Sequence, residues 1–300
     1  MINDEENSIE HKKILSSAAS ITSSTIGAVT GNALGTAFAG PAGGFIGALG
    51  GAVLEEIFKS LVEDFGHRIL SSREKVKVKM VLDYGLERIQ EFIKEGKIPR
   101  KDWLATLDET GRSYADEIFE EALFKAQRES QEKKIRFLGY FLANISFDDS
   151  VSSELAYSLL KIAEQLSYRQ FCFLALVEKV GILNVEPLRN RIHKDLKLEI
   201  LKREEMRLHF YDFGEHGLID SGGNSYAGDN DFRYTDCLSE VGEVFCRLFE
   251  LSKIPSKDLH SLAELLGRVC KPAILSNNTR GRKIWQQLLT EQTLKLGEEI

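Results

Sequence analysis

Three side chains in the C-terminal half of the chain could in principle ligate a metal ion: His209, Asp212 and His216. The first two are three residues apart and therefore share a helix face. Gly214 interrupts this helical run before His216, and no known metal signature has this spacing. The sequence therefore predicts no metal site here.

Other patterns that resemble chemical sites are incomplete. Asp229-Asn230-Asp231 resembles part of a calcium loop but lacks the later glycine and the bidentate glutamate. The glycine clusters lack the lysine and hydroxyl residue of a phosphate-binding loop. The sequence has no Gly-x-Ser-x-Gly elbow, no Ser/His/Asp or Cys/His set and no CxxC pair. We therefore expect no catalytic residues, no cofactor and no enzyme activity.

The most informative residues are glycines, which can bring helices together. They lie within Ile14 to Leu54, which is 41 residues long and contains no charged side chain. Residues four apart share a helix face, so each glycine series leaves a stripe without side chains that lets another backbone approach closely. The two series of the form GxxxGxxxG are Gly27, Gly31 and Gly35, and Gly43, Gly47 and Gly51.

Gly40-Pro41 separates the two series and predicts a break between two helices. We therefore expect residues 14–70 to form a glycine-zipper helical hairpin of the membrane type. Many Ser and Thr residues make its first arm weakly hydrophobic, and its second arm reaches spanning length only beyond Glu55 and Glu56. A conditional membrane segment is favoured. A soluble hairpin buried in its own protein is the alternative, while a flexible linker and a secretory signal peptide are disfavoured.

The rest of the chain has the composition of a globular, mainly α-helical protein. It has 300 residues, of which 43% are hydrophobic and five are proline, and its net charge is −7. This length allows two domains or one large helical domain. The acidic balance gives no reason to expect nucleic-acid binding.

Apolar residues at helical spacing predict a bundle of four or five helices over residues 71–183. Helices are expected from Ser71 to about Gly96, over 110–131, from Glu132, and from Val151. Ser167 has the character of an N-cap for a further, unusually apolar helix that ends at Gly181. Residues 1–13 are a polar leader, and residues 253–300 are expected to form C-terminal helices.

The pattern over residues 184–252 differs from that of the helical bundle and predicts a small α+β segment. A helix over 196–212 precedes a strand at Gly217-Leu218-Ile219, a polar loop, a strand over 232–235 and another helix that contains Gly242. This order resembles the wing of a winged-helix domain, and a plain β-hairpin between helices is the alternative. Residues 200–252 contain five basic and eleven acidic side chains, a balance of −6, so DNA readout is disfavoured.

The order of these features is similar to that of bacterial abortive-infection alpha-type proteins. The similarity rests on Lys134 to Leu138, Leu142 to Asn144, the helices from Leu155 to Val177, Gly217 to Ile219, and Tyr234-Thr235. The resemblance implies a bacterial protein linked to phage defence, without a known catalytic site. The glycine-rich hairpin lies outside the similar region.

Two functions follow as hypotheses. The first is a membrane-associated, pore-forming effector that binds lipid, forms a homo-oligomer and lies at the inner membrane with a cytoplasmic body. The second is a cytoplasmic regulatory or protein-interaction module with the hairpin buried in its own core. Both allow a protein partner, and neither predicts a nucleic-acid partner.

Overall fold

The computed structural model describes part of the chain. The described residues are Leu54, Ile57, Leu61 and Phe65, then 68–102, 109, 111–180, 183–185, 205, 208–221 and 234–270. They are mainly helical, as the sequence predicts. The chain divides between Glu164 and Gln165 into two compact units. The last helix of the predicted bundle over 71–183, Tyr168–Val180, lies in the second of these units.

The described helices of the first unit follow the predicted order. They are α1 (Ser72–Lys94), α2 (Tyr114–Arg128), α3 (Ile135–Ile145) and α4 (Ser153–Gln165), and a short 3-10 turn, Glu132–Lys134, precedes α3. Ser71 and Glu74 form a capping box at the start of α1. Gly96 follows the end of α1 with φ = 80°, which a residue with a side chain rarely adopts.

The first unit is held together by a close approach of α1 to α3. A Cβ atom on Gly139 would lie 2.7 Å from the carbonyl oxygen of Val81 and 2.7 Å from the Cβ of Tyr84. Only glycine fits at this crossing, because a methyl group would overlap both atoms. Lys77 connects α1 to the end of α2, since its Nζ donates to the carbonyl oxygens of Gln127, at 3.1 Å, and Glu129, at 2.6 Å.

The second unit is built around an apolar helix. Its described elements are α5 (Tyr168–Val180), β1 (Leu183–Val185), α6 (residues 208–215), β2 (Ile219–Ser221), β3 (Tyr234–Leu238), α7 (Glu240–Leu248), a 3-10 turn (Leu251–Lys253) and α8 (Ser256–Cys270). Ser167 and Gln170 pair at the start of α5 as a capping box. Every residue from Phe171 to Val177 is buried, and the ring of Phe171 contacts those of Phe245 and Phe249.

A small antiparallel sheet accompanies these helices. Its strand order is β1-β3-β2, with Leu183 opposite Asp236 and Ile219 opposite Leu238. The strand predicted over 232–235 contributes Tyr234 and Thr235 to β3, which pairs with both neighbours and continues to Leu238; residues 232 and 233 lie outside the described residues. β1 was not predicted, since a three-residue strand has too little alternation to be read from sequence.

Candidate functional site

The six glycines predicted as helix-packing residues, Gly27, Gly31, Gly35, Gly43, Gly47 and Gly51, lie outside the described residues. So does most of the predicted hairpin over 14–70. Within the part of the chain that the structure describes, no helix combines the length and the hydropathy that crossing a bilayer requires.

The described residues that follow the second glycine series belong to a helix with a buried face. Leu54, Ile57, Leu61 and Phe65 are helical, and each is at most 6% exposed. Their spacing of three and four residues places them on one face. The ring of Phe65 contacts that of Phe124 on α2, with centroids 5.4 Å apart. This buried face is therefore packed, at Phe65, against α2.

A cationic contact fastens the end of this segment to α2. The Arg68 guanidinium lies over the rings of both Phe65, at 4.6 Å, and Phe124, at 4.4 Å. Its Nη2 also donates to Glu120 at 2.6 Å. The planar face of the guanidinium stacks on two aromatic rings, while its N–H groups pair with a carboxylate. We call Phe65, Arg68, Glu120 and Phe124 the Arg68 junction.

Glu120 has a second arginine partner. Arg112 Nη2 donates to the other carboxylate oxygen at 2.6 Å, and this hydrogen bond raises the pKa of the Arg112 guanidinium. The Glu120 side chain is only 18% exposed, so one carboxylate joins the segment before α1 to the segment before α2 from a largely covered position. No sequence motif identifies this contact, because Arg68 and Glu120 are 52 residues apart.

Two of the three metal candidates of the sequence, His209 and Asp212, have structural partners. Asp212 accepts a hydrogen bond from Gln170 at 2.9 Å, and the His209 ring packs against Phe173 with centroids 5.4 Å apart. Burial lowers the pKa of His209, although Glu205 lies 3.6 Å from its Nε2. Among the described residues, no three His, Cys, Asp or Glu side chains gather as a metal ion would require. Asp229 to Asp231 lie outside the described residues.

Buried charges and thiols in the described residues also serve the fold. The Arg100 guanidinium donates to the carbonyl oxygen of Val151 and pairs with Asp102. Lys134 pairs with Glu129 at 2.6 Å. Cys172 and Cys246 are both buried, and burial raises the pKa of the Cys246 thiol, which keeps it protonated and unreactive.

One surface of the second unit carries large apolar side chains that are exposed. On α6, Phe210 and Phe213 face the core, whereas Leu208 is 64% exposed and Tyr211 is 60% exposed. Glu215 lies one turn after Tyr211 on the same side. We call Leu208, Tyr211 and Glu215 the exposed α6 face.

Comparison with known proteins identifies no relative. No family model, no curated protein and no solved structure matches the chain.

Proposed function

We propose that the protein is a membrane-associated effector of a bacterial abortive-infection system. Residues 14–53 would enter the inner membrane, associate as a homo-oligomer through their glycine stripes and form a pore, while the helical body stays in the cytoplasm. The doubled GxxxGxxxG pattern within an uncharged stretch carries this proposal. The membership in a defence system rests on the family resemblance alone.

The Arg68 junction supports conditional rather than permanent insertion. A bilayer-spanning helix needs about 20 apolar residues. The second arm from Ala42 to Leu54 has 13, and a length of about 20 residues would extend it to Leu61 and add three charged side chains, Glu55, Glu56 and Lys59. Burial of Leu54, Ile57, Leu61 and Phe65 keeps the described apolar side chains of that continuation covered. Release of the junction would therefore free an amphipathic continuation of the second arm, whose apolar face could lie on the bilayer surface.

Fractionation of the full chain and of a version lacking residues 1–53 tests this function. The deletion keeps Leu54 and the Arg68 junction, so the first unit retains its packed face. We expect full-length protein in carbonate-resistant membranes and the shortened protein in the soluble fraction. Full-length protein that remains soluble, together with a shortened form that aggregates, would contradict the proposal.

Glycine packing is tested separately by leakage of dye from liposomes. Gly31→Leu combined with Gly47→Leu should abolish leakage, because leucine fills both stripes. Ala33→Leu combined with Ala48→Leu is the matched control, since it adds bulk to the same segment away from these stripes. Equal leakage from both double variants would exclude close glycine packing as the mechanism.

The second candidate is a cytoplasmic regulatory or interaction module with residues 14–53 packed inside it. Burial of Leu54, Ile57, Leu61 and Phe65 favours it, because a segment with one packed face can continue into a packed hairpin. This candidate predicts that the full-length chain is soluble and that deletion of residues 1–53 prevents folding.

We further infer that the second unit contains a winged-helix-like segment. A helix followed by the β2–β3 hairpin, with β1 added at the far side of β3, supports this inference. The balance of −6 over residues 200–252 favours a protein partner over nucleic acid. A gel shift of DNA that depends on ionic strength would contradict that choice.

A further inference from the structure

Helix α6 is apolar on two sides. Its inner side holds Phe210 and Phe213, which are 4% and 0% exposed and contact Phe173 at centroid distances of 6.0 and 6.5 Å. Its outer side holds Leu208 and Tyr211. A helix on a protein surface normally needs only one apolar stripe, and a second one indicates a second packing partner.

The outer pair differs from ordinary exposed apolar residues. Single exposed apolar side chains are common and need no explanation. The described residues include five large apolar side chains that are strongly exposed, namely Ile69, Ile98, Tyr114, Leu208 and Tyr211. Leu208 and Tyr211 are three positions apart on one helix, so their side chains are neighbours on one face. Tyrosine is also the type of residue that contributes most at protein interfaces.

Acidic side chains border this pair. Glu215 continues the same face, and Glu205, whose side chain is 42% exposed, lies one turn before Leu208, 3.4 Å from Arg169. With Arg169 counted beside Glu205 and Glu215, the charged side chains at this face have a net charge of −1. Charge complementarity across an interface selects a partner of the opposite sign.

We propose that the exposed α6 face docks a basic amphipathic helix of a partner protein. Leucines of that helix would cover Leu208 and Tyr211, while its lysines or arginines would lie beside Glu205 and Glu215. This is helix-on-helix recognition through residues at i, i+3 and i+7. The proposal does not depend on membrane insertion, because every residue it uses belongs to the second unit.

The test measures binding of a labelled synthetic helix by fluorescence anisotropy. The probe is a leucine–lysine peptide of about five helical turns with one leucine stripe. It is titrated with the full chain in a neutral detergent. Tyr211→Ser and Leu208→Ser keep the charge of the protein and should each weaken binding about ten-fold. Ile98→Ser removes an equally exposed apolar side chain elsewhere and should bind as the parent does.

Charge is tested with the same peptide series. A leucine–glutamate peptide of the same length should bind at least about ten-fold more weakly. Glu215→Lys should weaken binding of the leucine–lysine peptide, and added salt should reduce the difference between the peptides. Equal binding by the parent, Tyr211→Ser and Leu208→Ser would overturn the proposal, and so would equal binding of both peptides.

A second copy of the chain is the competing occupant. Analytical ultracentrifugation of the same proteins distinguishes it. If the parent self-associates and Tyr211→Ser abolishes that association, the face joins two copies and the basic-partner proposal is wrong. A monomer mass for both the parent and Tyr211→Ser, together with the peptide results above, supports the basic-partner proposal.

Discussion

Glu120 connects two arginines that the sequence places far apart. It accepts from Arg68 and Arg112, both at 2.6 Å, and its side chain is 18% exposed. Removal of a largely covered carboxylate leaves two cations without their acceptor, which costs more than loss of an exposed ion pair.

Glu120→Gln is expected to loosen residues 54–70. It should lower the free energy of unfolding by about 1–2 kcal/mol. Glutamine has one acceptor oxygen in place of two, so one of the two charge-assisted hydrogen bonds to the arginines is lost. Amide hydrogen exchange near Phe65 should accelerate. Glu132→Gln is the control, since its pair with Arg73 is highly exposed and should contribute little. Equal effects of both changes would show that the Arg68 junction contributes no special stability.

Because His209 is largely buried, we expect the free energy of unfolding to depend on pH. Burial lowers its pKa in the folded state despite nearby Glu205 and Asp212, and Arg169 acts in the same direction as burial. The unfolded chain therefore binds the proton at higher pH than the folded chain does. The stability from a neutral His209 is complete above the ordinary histidine pKa of about 6.5 and is lost as pH falls through the folded value.

His209→Gln should accordingly reduce the loss of stability between about pH 7.5 and about pH 5.5. Urea unfolding of the full chain at the two pH values measures it. His216→Gln provides a matched histidine removal on the adjoining turn. If His209→Gln leaves the loss of stability unchanged, burial of the imidazole is not its cause.

At the scale of elements, glycine contacts set how closely helices approach their neighbours. Gly242 on α7 faces the residue that leads into β2, and an added Cβ would lie 2.0 Å from the carbonyl oxygen of Leu218. Ser239 reinforces this crossing, because its backbone N–H donates to the same oxygen at 3.1 Å. The winged-helix pattern in the sequence included this glycine, and the contact gives the physical reason for it.

Gly242→Ala should therefore destabilise the second unit. Alanine normally favours a helix over glycine by about 1 kcal/mol. Here the overlap with a backbone oxygen should reverse that sign and cost about 1–3 kcal/mol. Gly214→Ala on α6 meets no atom within 4 Å and should be neutral or slightly stabilising. Thermal unfolding of both variants gives the comparison, and a stabilised Gly242→Ala would contradict it.

Local signals predicted most helix ends but not the arrangement of helices. The stop at Gly96 and the N-cap at Ser167 could be read from sequence, because each acts within one turn. The neighbours of α5 could not be predicted in this way. Its nearly continuous apolar sequence indicates burial but does not say which neighbours cover it.

At the scale of the whole molecule, the described helical fold matches the mainly α prediction. The candidate sites differ in whether the sequence or the structure identified them. The glycine series remain predictions of the sequence alone, whereas the Arg68 junction and the exposed α6 face emerged only from the structure. Long-range ion pairs and solvent exposure depend on tertiary packing, and no spacing rule in the sequence encodes them.

The double pairing of Glu120 also constrains how the protein can diverge. A chain that replaces this glutamate removes the carboxylate that Arg68 and Arg112 share, so we expect substitutions at the three positions to occur together. Lysine at position 68 could keep the charge but not the stacking between two rings. Among descendants of this chain, positions 65, 68, 112, 120 and 124 should therefore change as a group.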